Sequence, residues 1–323
     1  MKVSQIVLLD PSSGSLNIGD EIISDGVKTG LDSILQNAFV ITLSTHQPLG
    51  AYGRFLGSPD LTVVGGSNLL RGRMNRRFRQ WDLQRRDSTY LSDVLLMGVG
   101  WWQYGDRLNR FTRRLYKSVL SRTMIHSVRD EYTKRQLNKG GFANVVNTGC
   151  PTLWQLTPGR CSQIPSYRAN QVVFTLTDYA PDIEADTAMV QMLKARYDRL
   201  SFWPQGYRDL AYLESLGVGD GINIIRPSLQ SFDALLDTGD IDHIGTRLHG
   251  GIRALQRGRR SLILGVDNRA RELKRDFGIP CVDRGKAGEL GQWIGGSEPP
   301  SIRLPWKAID EWKTQPALAE LLP

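Results

Sequence analysis

The residue types best suited to chemistry stand in short segments where an apolar run gives way to small or charged residues. In Ile241–Leu255 (IDHIGTRLHGGIRAL) a strand-like run ends near Ile244 and a helical pattern starts near His249. Arg247 and His249 then fall at the carboxyl end of a strand, beside the N–H groups that a helix start leaves without intrahelical partners. Arginine supplies a permanent planar fork for phosphate or carboxylate. A histidine there either binds an oxyanion when charged or exchanges a proton during reaction. A histidine packed for its shape alone explains the same residue. The neighbouring Arg247 and Leu248, the glycines from Gly250 on, and the helix start favour an anion site.

Other segments offer complementary groups. In Asn17-Ile18-Gly19-Asp20-Glu21 a Gly/Ser-rich loop leads into a helical pattern over Ile22–Leu35. Gly19 permits close approach of backbone to a ligand, and Asp20 stands where a carboxylate can orient or deprotonate a hydroxyl. Capping of the helix by Asn17 or Asp20 accounts for the same residues. Val63–Leu70 feeds a strand into Gly65, Gly66, Ser67 and Asn68, a turn whose N–H groups suit phosphate, carboxylate or sugar hydroxyls; a plain tight turn looks the same. Ser127-Val128-Arg129-Asp130 has the form of a capping box, with Ser127 as N-cap and Asp130 returning to it. That puts Arg129 in the first turn of a helix stopped by Gly140-Gly141. A run from Arg71 to Arg79, continued at Arg85-Arg86, interleaves Phe78 and Trp81. It reads first as a solvated face, second as a side turned to a charged acceptor or anionic membrane, and third as a nucleic-acid contact.

Positioning these groups falls to two series of strands. The first is Val3–Leu9, Phe39–Leu43, Leu61–Val64, Val94–Val99, Thr123–Val128 and a short run near Val145. The second is Gln171–Thr177, Arg199–Trp203, Ile222–Ile225, Ile241–Ile244, Ser261–Leu264 and Ile279–Val282. Helical patterns lie between them. In Leu108–Val119 the apolar Leu108, Phe111, Leu115 and Val119 recur at three- and four-residue steps, with Arg113, Arg114 and Lys117 facing elsewhere. Near-continuous apolar strands alternating with helices mean parallel sheets covered on both faces. The expected fold is therefore α/β: two doubly wound, Rossmann-like domains, 1–160 and 166–294, with a Pro- and Trp-bearing tail, 295–323, packed back on the first. In such sheets ligands bind at the carboxyl edge, so both edges are expected to face one cleft.

Composition bounds the function. The 323 residues are 40% hydrophobic and 23% charged, which excludes wholesale disorder and collagen-like repeats. A net charge of +8 favours anionic partners without choosing among them. Cys150, Cys161 and Cys281 are too few and too scattered for a disulfide framework or zinc knuckle, and read as small buried residues in a reducing compartment. Four histidines without clustered carboxylates argue against a metal cage. No stretch approaches a membrane span or a signal peptide, so a soluble cytoplasmic protein is expected, peripheral at the inner membrane at most. GxGxxG, GxSxG, HExxH and P-loop motifs are absent.

Taken in order, five segments resemble the polysaccharide pyruvyl transferase family: Asn17-Ile18-Gly19-Asp20, Gly65-Gly66, Ser127-Val128-Arg129-Asp130, Gly149-Cys150-Pro151-Thr152 and Arg247-Leu248-His249-Gly250. The last is the most specific, and the helix–Gly–apolar-strand pattern over Ile252–Asp267 continues it. The chain departs after Val266, where such proteins often carry an aromatic-Asp-x-Lys-like element and this one has Asp267-Asn268-Arg269. Donor contacts there are open to difference.

The resemblance implies an architecture similar to GT-B glycosyltransferases, with the site in the interdomain cleft. It implies phosphoenolpyruvate as donor to the second domain, and no cofactor. The acceptor, on the first domain, is a sugar with two suitably placed hydroxyls, a lipid-linked one at the inner membrane face being one form. The product is a pyruvate ketal on an exopolysaccharide or cell-surface glycan. Arg247 would clamp phosphate or carboxylate, and His249 would bind phosphate or act as the acid. Arg129 would add charge from the facing domain, and Asp20 would take a hydroxyl proton. Asn17, Gly19, Gly65, Gly66, Ser67, Asn68, Leu248 and Gly250 would line the substrates. Two other readings stay open: a GT-B glycosyltransferase using a nucleotide sugar, and a non-catalytic glycan- or nucleic-acid-binding protein led by the arginine run.

Overall fold

Among residues 3–322, which a computed structural model of the chain describes, every strand pairing within a sheet is parallel. Among these residues the chain divides into two compact units, residues 3–15, 23–154 and 304–322 forming one and residues 16–22 and 155–303 the other.

In the first unit the strands are β1 (Ser4–Asp10), β2 (Ala38–Ser44), β3 (Leu61–Gly65), β4 (Leu95–Met97), β5 (His126–Val128) and β6 (Val145–Asn147). The order is β2-β1-β3-β4 in one sheet and β5-β6 in another, and a parallel bridge from Val99 to Val128 carries the ladder on from the first to the second. The helices are α1 (Gly19–Gly30), whose first turn groups with the other unit, α2 (Asp32–Leu35), α3 (Arg110–Val119) and α4 (Glu131–Lys139). Val7, Leu9, Val64, Leu96, Val128 and Trp101 form the centre of one core. Burying such side chains contributes about 1.5–3 kcal/mol each, the dominant favourable contribution to folding.

The second unit contains β7 (Gln171–Thr175), β8 (Arg199–Phe202), β9 (Ile222–Ile224), β10 (Ile241–Gly245), β11 (Ser261–Gly265) and β12 (Cys281–Asp283). Its helices are α5 (Pro158–Cys161), α6 (Ile183–Arg196), α7 (Asp209–Ser215), α8 (Leu229–Leu236), α9 (Leu248–Gln256), α10 (Asn268–Phe277) and α11 (Ala287–Gly295). The strand order, β12-β11-β10-β7-β8-β9, is that of a doubly wound dinucleotide-type sheet, reversing between β7 and β10. One face packs Val172, Phe174, Phe202, Ile244 and Leu262. The other packs Ile22, Val173, Trp203 and Phe232, the last two rings stacked at 3.9 Å.

The chain then returns to the first unit through α12 (Trp306–Lys313) and α13 (Pro316–Ala319). Trp312 is wholly buried with its ring 5.8 Å from that of Trp154, and Gln315 Oε1 accepts from Ile125 N at 2.8 Å. Residues 296–303 stay with the second unit, where Arg303 N donates to Phe277 O at 2.9 Å.

Two local expectations differ from what forms. Phe111 is exposed, because α3 starts only at Arg110 and turns Thr112, Leu115, Tyr116 and Val119 inward. Ser127 is not a cap: β5 runs through Val128, so the helix begins three residues later than the pattern suggested. Asp130 is the N-cap, its Oδ1 accepting from Thr133 N at 2.7 Å, and Gly140 ends α4. Cys150, Cys161 and Cys281 are all buried thiols. No helix among the described residues is long and apolar enough to cross a membrane.

Candidate active site

Ligands of doubly wound sheets bind where the strand order reverses, outside the carboxyl ends of the strands. In the second unit, that point gathers the residues following β7, β8, β10 and β11. Arg247 follows β10 in extended conformation as the residue before α9, and is buried. Its Nε donates to Asp209 Oδ2 at 2.9 Å and to Leu176 O at 3.0 Å. Its Nη2 donates to Asp178 Oδ1 at 2.8 Å and also to Asp209 Oδ1. Gly206 makes the room, since a Cβ there would collide with Arg247 Nη2. Asp209 is wholly buried and accepts from Gly206 N at 2.6 Å. Burial pushes its carboxyl above the usual range, and the hydrogen bond and charge of Arg247 pull back only part of that shift. The fork expected to clamp phosphate is thus already engaged by two carboxylates. Arg247 positions the β10–α9 corner.

His249 is the second residue of α9 and is buried in its first turn. Beside it, Gly250 lies against the end of β8: a Cβ there would stand 3.1 Å from Gln205 Oε1 and 3.5 Å from Trp203 Cζ3. Gln205 Oε1 is buried without a hydrogen-bond partner. The other end of the same amide holds the segment 16–22, with Nε2 donating to Asn17 Oδ1 at 2.8 Å, Ile18 N donating to Gln205 O at 2.9 Å, and Asn17 bridging Gly206. Asn17 Oδ1 also accepts from Gly19 N at 3.1 Å, which makes Asn17 the residue that opens α1. Asp20 is left in the first turn, where the positive end of the helix favours a carboxylate. It is mostly buried.

Asp20 acts electrostatically on Arg269, near the start of α10. Arg269 Nε reaches Asp267 Oδ2 at 2.9 Å, and its Nη2 donates to the Tyr179 hydroxyl. The Tyr179 ring centre lies 5.1 Å from the Arg247 guanidinium carbon and 5.8 Å from that of Arg269. Burial works against the Arg269 charge, but Asp267 and Tyr179 outweigh it and hold its pKa above the usual arginine value. Two guanidiniums therefore meet Asp20, Asp178, Asp209 and Asp267. The Arg247 and Arg269 guanidiniums thus both have carboxylate partners within this unit.

In the first unit the order β2-β1-β3 places the reversal between β1 and β3. Beyond β3, Gly66 and Ser67 both take left-handed backbone, φ 67° and 58°. A Cβ on Gly66 would collide with Ile23, so only glycine serves there. The turn is pinned by Gly66 N to Met97 O, and Gly100 N to Ser67 O, both at 2.8 Å. Asn68 Oδ1 is buried without a partner. The Arg129 guanidinium packs on Gly100 and is wholly buried. Its Nε and Nη2 reach Asp130 Oδ2 at 3.2 and 3.1 Å, whereas Nη1 has no partner. Arg129 precedes the N-cap instead of standing in the first turn, and its charge is sealed inside its own unit.

Asn17, Gly19, Asp20, Arg247, Leu248, His249 and Gly250 thus lie in the second unit's assembly, and Gly65, Gly66, Ser67, Asn68 and Arg129 in the first. Sequence reasoning passed over Asp178, Tyr179, Gln205 and Asp209. Each stands within about one helical turn of a strand end or at a helix start, so the carboxyl-edge rule applied to β7 and β8 would have found them.

Two doubly wound sheets, each with its polar groups at the carboxyl edge, define a GT-B-type fold. Solved structures bear this out. The chain is similar to UDP-GlcNAc 2-epimerase from Methanocaldococcus jannaschii at TM-score 0.56 and 14% identity, covering 96% of this chain and 98% of that one. It is similar to a putative UDP-N-acetylglucosamine 2-epimerase from Listeria monocytogenes at TM-score 0.57 and 12% identity, covering 97% and 91%. No curated protein matches. The family model for polysaccharide pyruvyl transferase matches residues 17–268, and the chain belongs to that family.

Proposed function

We propose that the protein transfers the pyruvyl unit of phosphoenolpyruvate onto two hydroxyls of a glycan sugar, forming a cyclic ketal and releasing inorganic phosphate. Family membership supports the reaction class. The observation that carries the residue assignment is His249, buried in the first turn of α9 at the strand-order reversal, on a corner that Asp209 and Asp178 lock through Arg247. Protonation of the donor's C3 by His249 makes C2 oxocarbenium-like, and one sugar hydroxyl adds to it. The second hydroxyl displaces phosphate and closes the ketal, with Asp20 taking a hydroxyl proton. The N–H groups of the first turn of α9, together with Arg269, stabilise the departing phosphate. In the first unit Asn68 Oδ1, buried without a partner, is the group a glycan acceptor would satisfy.

The test is phosphate release from phosphoenolpyruvate across a panel of acceptor glycans, with mass spectrometry of the products. The expected product gains the mass of pyruvic acid less one water. Transfer from a UDP-sugar with no reaction of phosphoenolpyruvate would instead make the chain a glycosyltransferase.

A further inference from the structure

Neither site uses the arginines of the arginine-rich stretch. Residues 71–122 hold 13 Lys+Arg and 4 Asp+Glu, a net +9, against +8 for the whole chain. The protein's excess positive charge is therefore concentrated in this one stretch of the first unit, and the remainder is close to neutral.

The stretch folds into a single stapled surface. Asn109 N donates to Gly72 O at 2.9 Å, Met74 N to Thr112 Oγ1 at 2.8 Å, and Asn109 Nδ2 to Asn75 Oδ1 at 2.7 Å, tying the loop from Gly72 to the start of α3. Arg71 is the internal brace. It is buried, 3.7 Å from an Asp106 carboxylate oxygen, and its guanidinium lies 4.5 Å from the Trp102 ring centre. What remains outside is cationic. Arg73, Arg76, Arg77, Arg110, Arg113 and Arg114 are exposed, and none of them makes an ion pair among the described residues. Phe78 and Phe111, 58% and 41% exposed, stand among them.

We propose that this face docks the protein on an anionic phospholipid surface. Unpaired arginines around exposed phenyl rings match the chemistry of a headgroup layer over hydrocarbon: each cation near such a surface adds about 1 kcal/mol, and the rings enter the acyl boundary. Nucleic acid fits less well, because Trp102 and Tyr104, the larger rings that bases would stack on, already have partners, leaving only the two phenyl rings. Trp102 takes Arg71 and Phe78, whose ring is 4.7 Å away, and Tyr104 takes Tyr132 at 4.9 Å. The proposal does not rest on the reaction assigned above, since it is read without substrate.

The experiment is co-sedimentation of the full chain with phosphatidylcholine vesicles, with and without phosphatidylglycerol, at physiological ionic strength. Binding is expected only with the anionic lipid. Arg76→Ser/Arg77→Ser/Arg113→Ser should lower the partition coefficient on the order of 100-fold, three contributions of about 1 kcal/mol. The corresponding triple Lys variant should retain binding. Phe78→Ala/Phe111→Ala should weaken it roughly 10-fold while leaving the salt dependence intact. All five positions are exposed side chains outside both sites, so folding and phosphate release with a water-soluble acceptor should be unchanged. Equal binding to neutral vesicles, full binding by the Ser variant, or binding of single-stranded RNA with none to anionic vesicles would overturn the proposal.

Discussion

Removing the Arg247 side chain separates a positioning role from a phosphate clamp. Arg247→Ala leaves Asp209, wholly buried, with the backbone N–H groups of Gly206 and Asp178 but no counter-charge. Breaking a buried pair by deleting one partner costs about 3–5 kcal/mol, because the surviving charge stays in a low-dielectric interior. In a unit of this size that lowers its melting temperature by roughly 6–20 °C. Arg247→Lys keeps a charge, but a point ammonium cannot serve both Asp209 oxygens, Asp178 and the Leu176 carbonyl together, so an intermediate loss is expected. The deficit carries a pH signature. Asp209 is already raised by burial, and without Arg247 it rises further. A carboxyl whose folded pKa is raised stabilises the fold while protonated and loses that contribution as pH climbs, so the gap between wild type and Arg247→Ala should be wide at about pH 8 and narrow toward about pH 5. Urea titration followed through the fluorescence of buried Trp203 reports on this unit. A wild-type midpoint at all pH values, with only KM for phosphoenolpyruvate raised, would show that the fork is free for the donor and refute the argument.

His249→Asn should lower kcat on the order of 100- to 10,000-fold with donor affinity largely kept; a defect confined to KM would assign it to binding. Gly206→Ala should reproduce the Arg247→Ala defect, since its Cβ would occupy the place of Arg247 Nη2; a stable, active Gly206→Ala enzyme would mean the corner yields without cost. Burial pushes His243 down to about 3 and His126 to about 4, so both favour folding while neutral. Their contributions are complete above the unfolded value of about 6.5 and fade as pH falls through it, about 2 kcal/mol each between pH 7 and 5. His126→Gln and His243→Gln should each flatten that decline in chevron or urea data, and unchanged acid slopes would count against buried neutral rings.

The strands were legible wherever both faces are buried. β1, β3, β10 and β11 were read to within about two residues, because a strand covered on both sides is mostly apolar, although β10 also buries Asp242 and His243. β5 was read as part of a strand through Val128, but buried Ser127 also read as a helix cap and Arg129 as its first turn, where they belong to the strand and the turn after it. The β10–α9 corner shows a similar split. Arg247 and His249 stood out by type and spacing, yet the reading of Arg247 as a free clamp rested on its neighbours in sequence. Asp209 and Asp178, the residues that use its fork, lie 38 and 69 positions away.

What the sequence determined by itself was the alternation of apolar strands with amphipathic helices, and with it two parallel sheets and the family to which the chain belongs. Both follow from short-range patterns: strand burial is written in consecutive residues, and the family motifs are contiguous. The tertiary structure alone decided which carboxylates meet which guanidiniums. It strapped Asn17 to Gln205 across 188 positions, and it set Asp209 and Asp178 against the fork of Arg247. The physical reason is that strand order, not strand sequence, chooses which carboxyl ends lie side by side. Coulomb interactions act on those few ångströms of space, whatever the separation along the chain.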